Sequence, residues 1–153
     1  MTRQFTLAAI GHVEGGRGPA EDDQWGASRA TIIIDTLPAD ALAGLDSFSH
    51  CEVVFIFDQL PESGITTGAR HPRGNPDWPL VGILAQRGRN RPNRIGVSVC
   101  RVIAVSGNRL DVEGLDAIAG TPVLDIKPVL SGFQARGTIR EPDWARAIMA
   151  DYW

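Results

Sequence analysis

The sequence predicts an all-β fold, a small antiparallel barrel or sandwich of short strands with one short helix near the C-terminus. Three observations carry this. Ten prolines and 17 glycines interrupt the chain too often for long helices. Between those breakers stand short runs of β-branched and apolar residues, the composition of strands. Gly107-Asn108, set between Val105 and Leu110, is a tight hairpin signal.

Taken in order, Phe5 to Val13 reads as a first strand, followed by a glycine-rich, acidic loop from Glu14 to Gly26. Thr31 to Asp35 is β-branched and predicts a second strand. Pro38 to Leu45 predicts a brief helix, with proline suited to its start. Cys51 to Phe57 (CEVVFIF) is apolar at successive positions, the pattern of a strand buried on both sides. A Gly- and Pro-rich loop runs from Asp58 to Trp78, a length that in compact domains usually serves function. Leu80 to Ala85 and Ile95 to Val105 predict further strands. Arg109 to Glu113 alternates polar and apolar as a half-solvated strand does, and Thr121 to Lys127 forms a last one. Pro142, Trp144, Ile148, Met149 and Tyr152 have helical spacing, predicting a helix at about 141–152. No repeat or linker divides the chain, so one domain over 1–153 is expected, with its core at about 5–133.

The chain's 43% hydrophobic and 22% charged residues are ordinary for a globular protein, and no apolar run reaches the roughly 20 residues of a membrane span. No basic segment followed by an apolar stretch opens the N-terminus, so a cytoplasmic protein is expected. Cys51 and Cys100 sit in apolar runs and read as buried thiols rather than a disulfide framework. His12, His50 and His71 are too scattered to predict a metal site. Gly15-Gly16-Arg17-Gly18 lacks the lysine and the strand-to-helix setting of a phosphate loop. Ser49, His50 and Cys51 are adjacent, and neighbours on a strand are expected to point to opposite faces, so a serine or cysteine hydrolase has no support beyond composition. A net charge of −3 argues against a general nucleic-acid binder, but between residues 70 and 94 six arginines (70, 73, 87, 89, 91 and 94) meet one acid, Asp77. Arginine is the side chain best shaped for phosphates and carboxylates.

The specific signal lies in two rigid corners. Arg87-Gly88-Arg89-Asn90-Arg91-Pro92-Asn93-Arg94-Ile95-Gly96-Val97-Ser98 displays arginines on a proline-stiffened turn that leads into a strand. Gly114-Leu115-Asp116 is followed by Gly120-Thr121-Pro122-Val123-Leu124-Asp125-Ile126-Lys127-Pro128, in which Asp125 and Lys127 share one strand face. Together these segments resemble the TrmO (TsaA-like, YaeB-like) family of tRNA N6-threonylcarbamoyladenosine methyltransferases. That family carries an R-x-x-x-RPNPIG-x-S stretch and then GLD-x-x-x-GTPVLDIKPY. Gly44-Leu45-Asp46-Ser47-Phe48-Ser49-His50 resembles its GLE-x-FSH motif, and His71-Pro72-Arg73-Gly74 its PR-G loop. The resemblance covers roughly residues 5–133.

The resemblance implies a small antiparallel β-barrel, usually a homodimer, that binds S-adenosylmethionine and methylates N6 of threonylcarbamoyladenosine beside the tRNA anticodon. Carried over by motif, the cofactor residues are Asp23 and Gln24 in the first loop, Asp58 and Gln59, Arg87, Ser98, and Ala117, Ile118, Ala119 and Gly120. Gln24 and Gln59 would bond adenine or methionine groups, Arg87 would pair with the methionine carboxylate, and the 117–120 backbone would read the adenine edge. Arg73, Arg89, Arg91, Asn93 and Arg94 would hold RNA phosphates or the threonyl carboxylate. Removing the N6 proton needs a base, for which Asp58, Asp116 and Asp125 are candidates, Asp125 first because Lys127 can orient it. The chain departs from the family at Asp22-Asp23-Gln24 (PRQ), Arg94 (the second proline of RPNPIG), Ala119 and Val129 (tyrosine in DIKPY). Where many members have a long C-terminal domain, a short helix from Trp144 to Trp153 is expected here. The rival readings are a methyltransferase of the same family acting on another acceptor and a non-enzymatic S-adenosylmethionine-binding protein.

Overall fold

The computed structural model describes residues 1–153 and contains a closed antiparallel barrel. Its strands are β1 (Gly11–Glu14), β2 (Arg29–Ile34), β3 (His50–Ile56), β6 (Ile95–Ser106), β7 (Arg109–Glu113) and β8 (Pro122–Pro128), paired in the cyclic order β1-β2-β7-β6-β3-β8. Closure leaves no open edge in the main sheet. The hairpin at Gly107-Asn108 joins β6 to β7, with Gly107 at φ 59, as the turn signal requires.

Period-two alternation fills the interior. Val13, Ile32, Ile34, Cys51, Val53, Phe55, Cys100, Leu110, Val112 and Val123 all point inward, and Leu42, Leu115 and Ala117 complete the core from the loops. Register pairs these positions across the ladders, Val13 with Ile32, Ile32 with Leu110, and Cys51 with Cys100. Each large side chain so buried contributes roughly 1.5–3 kcal/mol. The two cysteine sulfurs lie 3.7 Å apart as buried thiols, and the neighbouring thiol and burial push Cys100 up. Bulges at Val54/Phe55 and Val102/Ala104 add the curvature that closure needs.

Several sequence expectations change. Cys51 to Phe57 is not buried on both sides: Cys51, Val53 and Phe55 face the core, while Glu52, Val54 and Ile56 are half-buried on the outer wall of a one-layer barrel. The first strand spans only Gly11–Glu14; Phe5 and Leu7 are exposed, because β2 ends at Ile34 opposite Gly11 and offers no further partner. Leu80 to Ala85 is not a barrel strand. Val81–Gly82 (β5) pairs only with Ala69–Arg70 (β4), and Ile83–Ala85 then forms a 3-10 turn, since six strands already close the barrel. The helix expected at Pro38 to Leu45 is a pair of 3-10 turns, Ala39–Leu42 and Leu45–Ser47, separated by Gly44 at φ 86. The C-terminal helix α1 is short, Asp143–Ile148, with Pro142 immediately before it and Tyr152 beyond its end.

Candidate functional site

Asp116 is the centre of the polar arrangement. After β7 the chain turns at Gly114, whose φ of 83 suits glycine. Leu115 and Ala117 then enter the core, which sends the intervening Asp116 side chain towards β6. There the buried Ser98 hydroxyl donates to Asp116 Oδ1, and the Tyr152 hydroxyl donates to Oδ2. Burial, then the charge and hydrogen bond of Asp116, push the Tyr152 phenol well above its usual range, so it stands as a neutral donor. Two of the expected adenine-reading amides are already used: Ala119 N–H donates to Arg17 O at 2.9 Å and Gly120 N–H to Val13 O at 2.7 Å. The N–H groups of Ala117 and Ile118 make no such bond.

The first loop is held against this centre by side chains rather than by regular structure. Trp25 is buried, with its indole N–H on Glu21 O. Arg17 lies 4.3 Å from the Trp25 ring centroid and donates to Asp23 O at 2.6 Å. Asp23 carries an acid where the resembled family has a positive residue, and Arg73 meets it with two bonds, at 2.8 and 3.4 Å. The acid at this position therefore neutralises the arginine of the Pro72-Arg73-Gly74 loop. Gln24 has φ 67, and both its N–H and its Nε2 donate to Asp151 O, at 2.9 and 3.1 Å.

The arginine corner reaches the same centre through Arg87. Arg87 Nη2 donates at 2.8 Å to the carbonyl of Val97, the residue before Ser98. Arg91 donates to Gln86 O at 2.7 Å and Arg94 to Leu60 O at 2.6 Å. Each guanidinium has five N–H donors, so most remain free, and no carboxylate pairs with Arg87, Arg89, Arg91 or Arg94. Asn93 and Arg94 stand at φ 62 and 53. A proline ring cannot adopt the latter value, so RPNR takes a backbone path closed to RPNP. Asp58 and Gln59 are exposed just past β3, where Phe57 N–H donates to Arg94 O.

Asp125 and Lys127 stand apart from this group. They pair with Val54 and Glu52 across β3, on the outer wall, whereas Asp116 and Ser98 meet at the inner side. Their 2.7 Å ion pair is solvent-exposed, and Asp125 holds the Lys127 ammonium above its usual range. Two open clefts also lie elsewhere: one involves Glu14, Arg29 and Asp111, the other Leu42, Phe48 and Ile126. Tyr152 and Arg17 are the contributors that sequence reading did not assign to the site. The available signal for Tyr152 was a hydroxyl on an otherwise apolar terminal pattern, since a buried tyrosine usually finds a polar partner.

Residues 15–135 match the family described as the tRNA-methyltransferase O N-terminal domain. The chain is 41% identical over 98 residues to tRNA (adenine(37)-N6)-methyltransferase of Escherichia coli, covering 60% of this chain and 40% of that protein. It is 39% identical over 108 residues to a Pseudomonas aeruginosa protein named putative S-adenosylmethionine-dependent methyltransferase RcsF, covering 67% of this chain and 44% of the other. Among solved structures, TrmO from P. aeruginosa superposes with a TM-score of 0.73 at 28% identity, over 94% of this chain and 63% of that one. The match to these two sequence relatives therefore spans less than half of either relative's length. With its barrel, its two motif corners and residues 15–135 all in agreement, the chain belongs to the tRNA-methyltransferase O N-terminal domain family.

Proposed function

We propose that this chain binds S-adenosylmethionine and methylates N6 of threonylcarbamoyladenosine in tRNA. The observation that carries the reading is the position of Asp116. It ends the Gly114-Leu115-Asp116 motif, just before the loop that leads to Gly120-Thr121-Pro122, accepts the hydroxyl of Ser98 at the end of the arginine segment, and has near it Arg87, which donates to the carbonyl of Val97.

The donor set fits the cofactor. Arg87 has guanidinium donors to spare for a carboxylate, and the amides of Ala117 and Ile118 are unspent for a purine edge. Asp23, Gln24, Asp58 and Gln59 complete the assigned set. When bound, S-adenosylmethionine supplies a methyl group on a sulfonium that leaves as a neutral thioether. The chain's own residues position the acceptor and take its proton, and positioning supplies much of the rate in such an in-line displacement. Asp116 is the preferred base. Each of its oxygens accepts one hydroxyl and keeps a second lone pair for a substrate N–H. Asp125, with Lys127, faces outward and ranks below it. Arg73, Arg89, Arg91, Asn93 and Arg94 would meet RNA phosphates or the threonyl carboxylate.

We further propose a cytoplasmic homodimer. No helix is long and apolar enough to cross a membrane. Val97, Val99 and Ile103 stand exposed in line along the outside of β6, and Phe133 and Leu84 are 88% and 80% exposed. Apolar surface of that kind favours a covered interface, to be checked by light scattering. The test of function is calorimetric titration with S-adenosylmethionine, then methyl transfer to threonylcarbamoylated tRNA by the same preparation. Binding with transfer is expected. Binding without transfer to any RNA would refute the assignment of activity, and absence of binding would refute the cofactor as well.

A further inference from the structure

We infer that Tyr152 is a positioning residue of the cofactor site, tying the first loop to the 114–120 loop through the docked segment Asp151–Trp153. The inference rests on reading those two loops as the cofactor site.

The segment makes its contacts on both sides. Towards the first loop, Asp151 O accepts the Gln24 N–H and Nε2, and Tyr152 O accepts the Trp25 N–H at 2.8 Å. Gly26 packs so closely that an added Cβ would sit 2.6 Å from the Trp153 carbonyl carbon. Towards the other loop, the Tyr152 hydroxyl reaches Asp116. The Trp153 ring meets the Tyr152 ring edge-on, with centroids 4.8 Å apart, which braces the phenol.

Each loop needs that brace. Residues 15–28 contain no strand or helix, and Gln24 is held in a left-handed conformation that non-glycine residues rarely adopt. Three hydrogen bonds from the segment satisfy that strained turn. Asp116 is bonded to Ser98 on one oxygen, and Tyr152 closes the other. The carboxylate is thereby fixed in rotation, while Gln24 is fixed at a distance set by one dipeptide. The whole arrangement makes Tyr152 the only direct side-chain link from the docked segment to Asp116.

Two variants test this. Tyr152→Phe removes the hydroxyl and keeps the ring; Gly26→Ala crowds the segment from the opposite side without touching Asp116. Losing one hydrogen bond to a charged group should weaken S-adenosylmethionine binding about tenfold in Tyr152→Phe. A loss in the same direction is expected in Gly26→Ala. In turnover, KM for S-adenosylmethionine should rise while KM for tRNA stays at the wild-type value, a split that a general loss of structure would not produce. Amide exchange at Gln24 and Trp25 should quicken in both variants, with or without cofactor. Unchanged or tighter cofactor binding in Tyr152→Phe would overturn the inference, tighter binding meaning that the segment excludes the cofactor. If the wild type binds no S-adenosylmethionine, the cofactor reading fails by itself. The exchange measurement then decides the coupling, and equal exchange in wild type and Tyr152→Phe would overturn it.

Discussion

Replacing Gly96 by alanine tests how the arginine corner is anchored to the barrel. Gly96 is the cross-strand partner of Phe55, and both face the interior. A Cβ at Gly96 would lie 2.5, 2.6 and 3.0 Å from three carbons of the Phe55 ring. Phe55 is 1% exposed and already packs edge-on against Phe57 at 5.2 Å, so the ring cannot swing away into free space. Overpacking of this sort costs about 1–3 kcal/mol. At about 2–4 °C per kcal/mol for a chain of this size, the melting temperature should fall by roughly 2–12 °C. Phe55→Leu in the same chain shortens the opposing side chain and should recover about 1 kcal/mol relative to the sum of the single changes. The assay is thermal unfolding of wild type, both single variants and the double variant. A Gly96→Ala melt within about 1 °C of wild type, or strictly additive effects, would refute the steric account. Because Gly96 lies between Arg94 and Ser98, the same displacement should lower cofactor affinity in the folded variant.

Three further outcomes are expected. Asp116→Asn should leave cofactor binding measurable by calorimetry but cut methyl transfer by about 10²–10⁴, the usual contribution of a general base; transfer at the wild-type rate would return Asp125 and Asp58 to consideration. Arg89 makes no ion pair, so Arg89→Ala should weaken tRNA binding without loss of fold and reduce the slope of log affinity against log salt by about 1 in filter-binding titrations. The docked Tyr152 phenol is raised by burial and by Asp116, with Asp22 adding to the shift and Arg73 opposing it. The released phenol ionises near pH 10, about where docking begins to weaken, by up to tenfold per pH unit thereafter. The stability difference between wild type and Tyr152→Phe should therefore hold below about pH 10 and shrink above it in parallel thermal melts.

Much of the barrel was legible in the chain because alternation and turn chemistry are local. Arg109 to Glu113 and the Gly107-Asn108 hairpin appear as read, and Ile95 to Val105 and Thr121 to Lys127 shift by a residue or so. Failures came where pairing decides. Phe5 to Val13 and Cys51 to Phe57 both have strand composition, but only pairing with β2, β8 and β6 determines how much of each is paired and which face is wet. Leu80 to Ala85 has strand composition and no place in a barrel that six other strands close.

The family is legible along the chain in ordered motifs whose residue types are set by local backbone demands: Pro92 and Asn93 at a corner, and Gly114 at a left-handed turn. The cluster of six arginines facing one acid between residues 70 and 94 is equally legible, but the fold pairs Arg73 with Asp23 from outside that stretch and leaves Arg87, Arg89, Arg91 and Arg94 without a carboxylate. Which carboxylate stands at the meeting of the motifs depends instead on how the barrel closes. Along the chain Asp125 ranks ahead of Asp116 because Lys127 can orient it, but closure of the barrel turns Asp125 outward beside Lys127 and brings Asp116 onto Ser98. The tertiary structure likewise decided that Tyr152, 36 residues after Asp116, reaches it, because long-range contacts depend on how the closed sheet folds the chain back on itself.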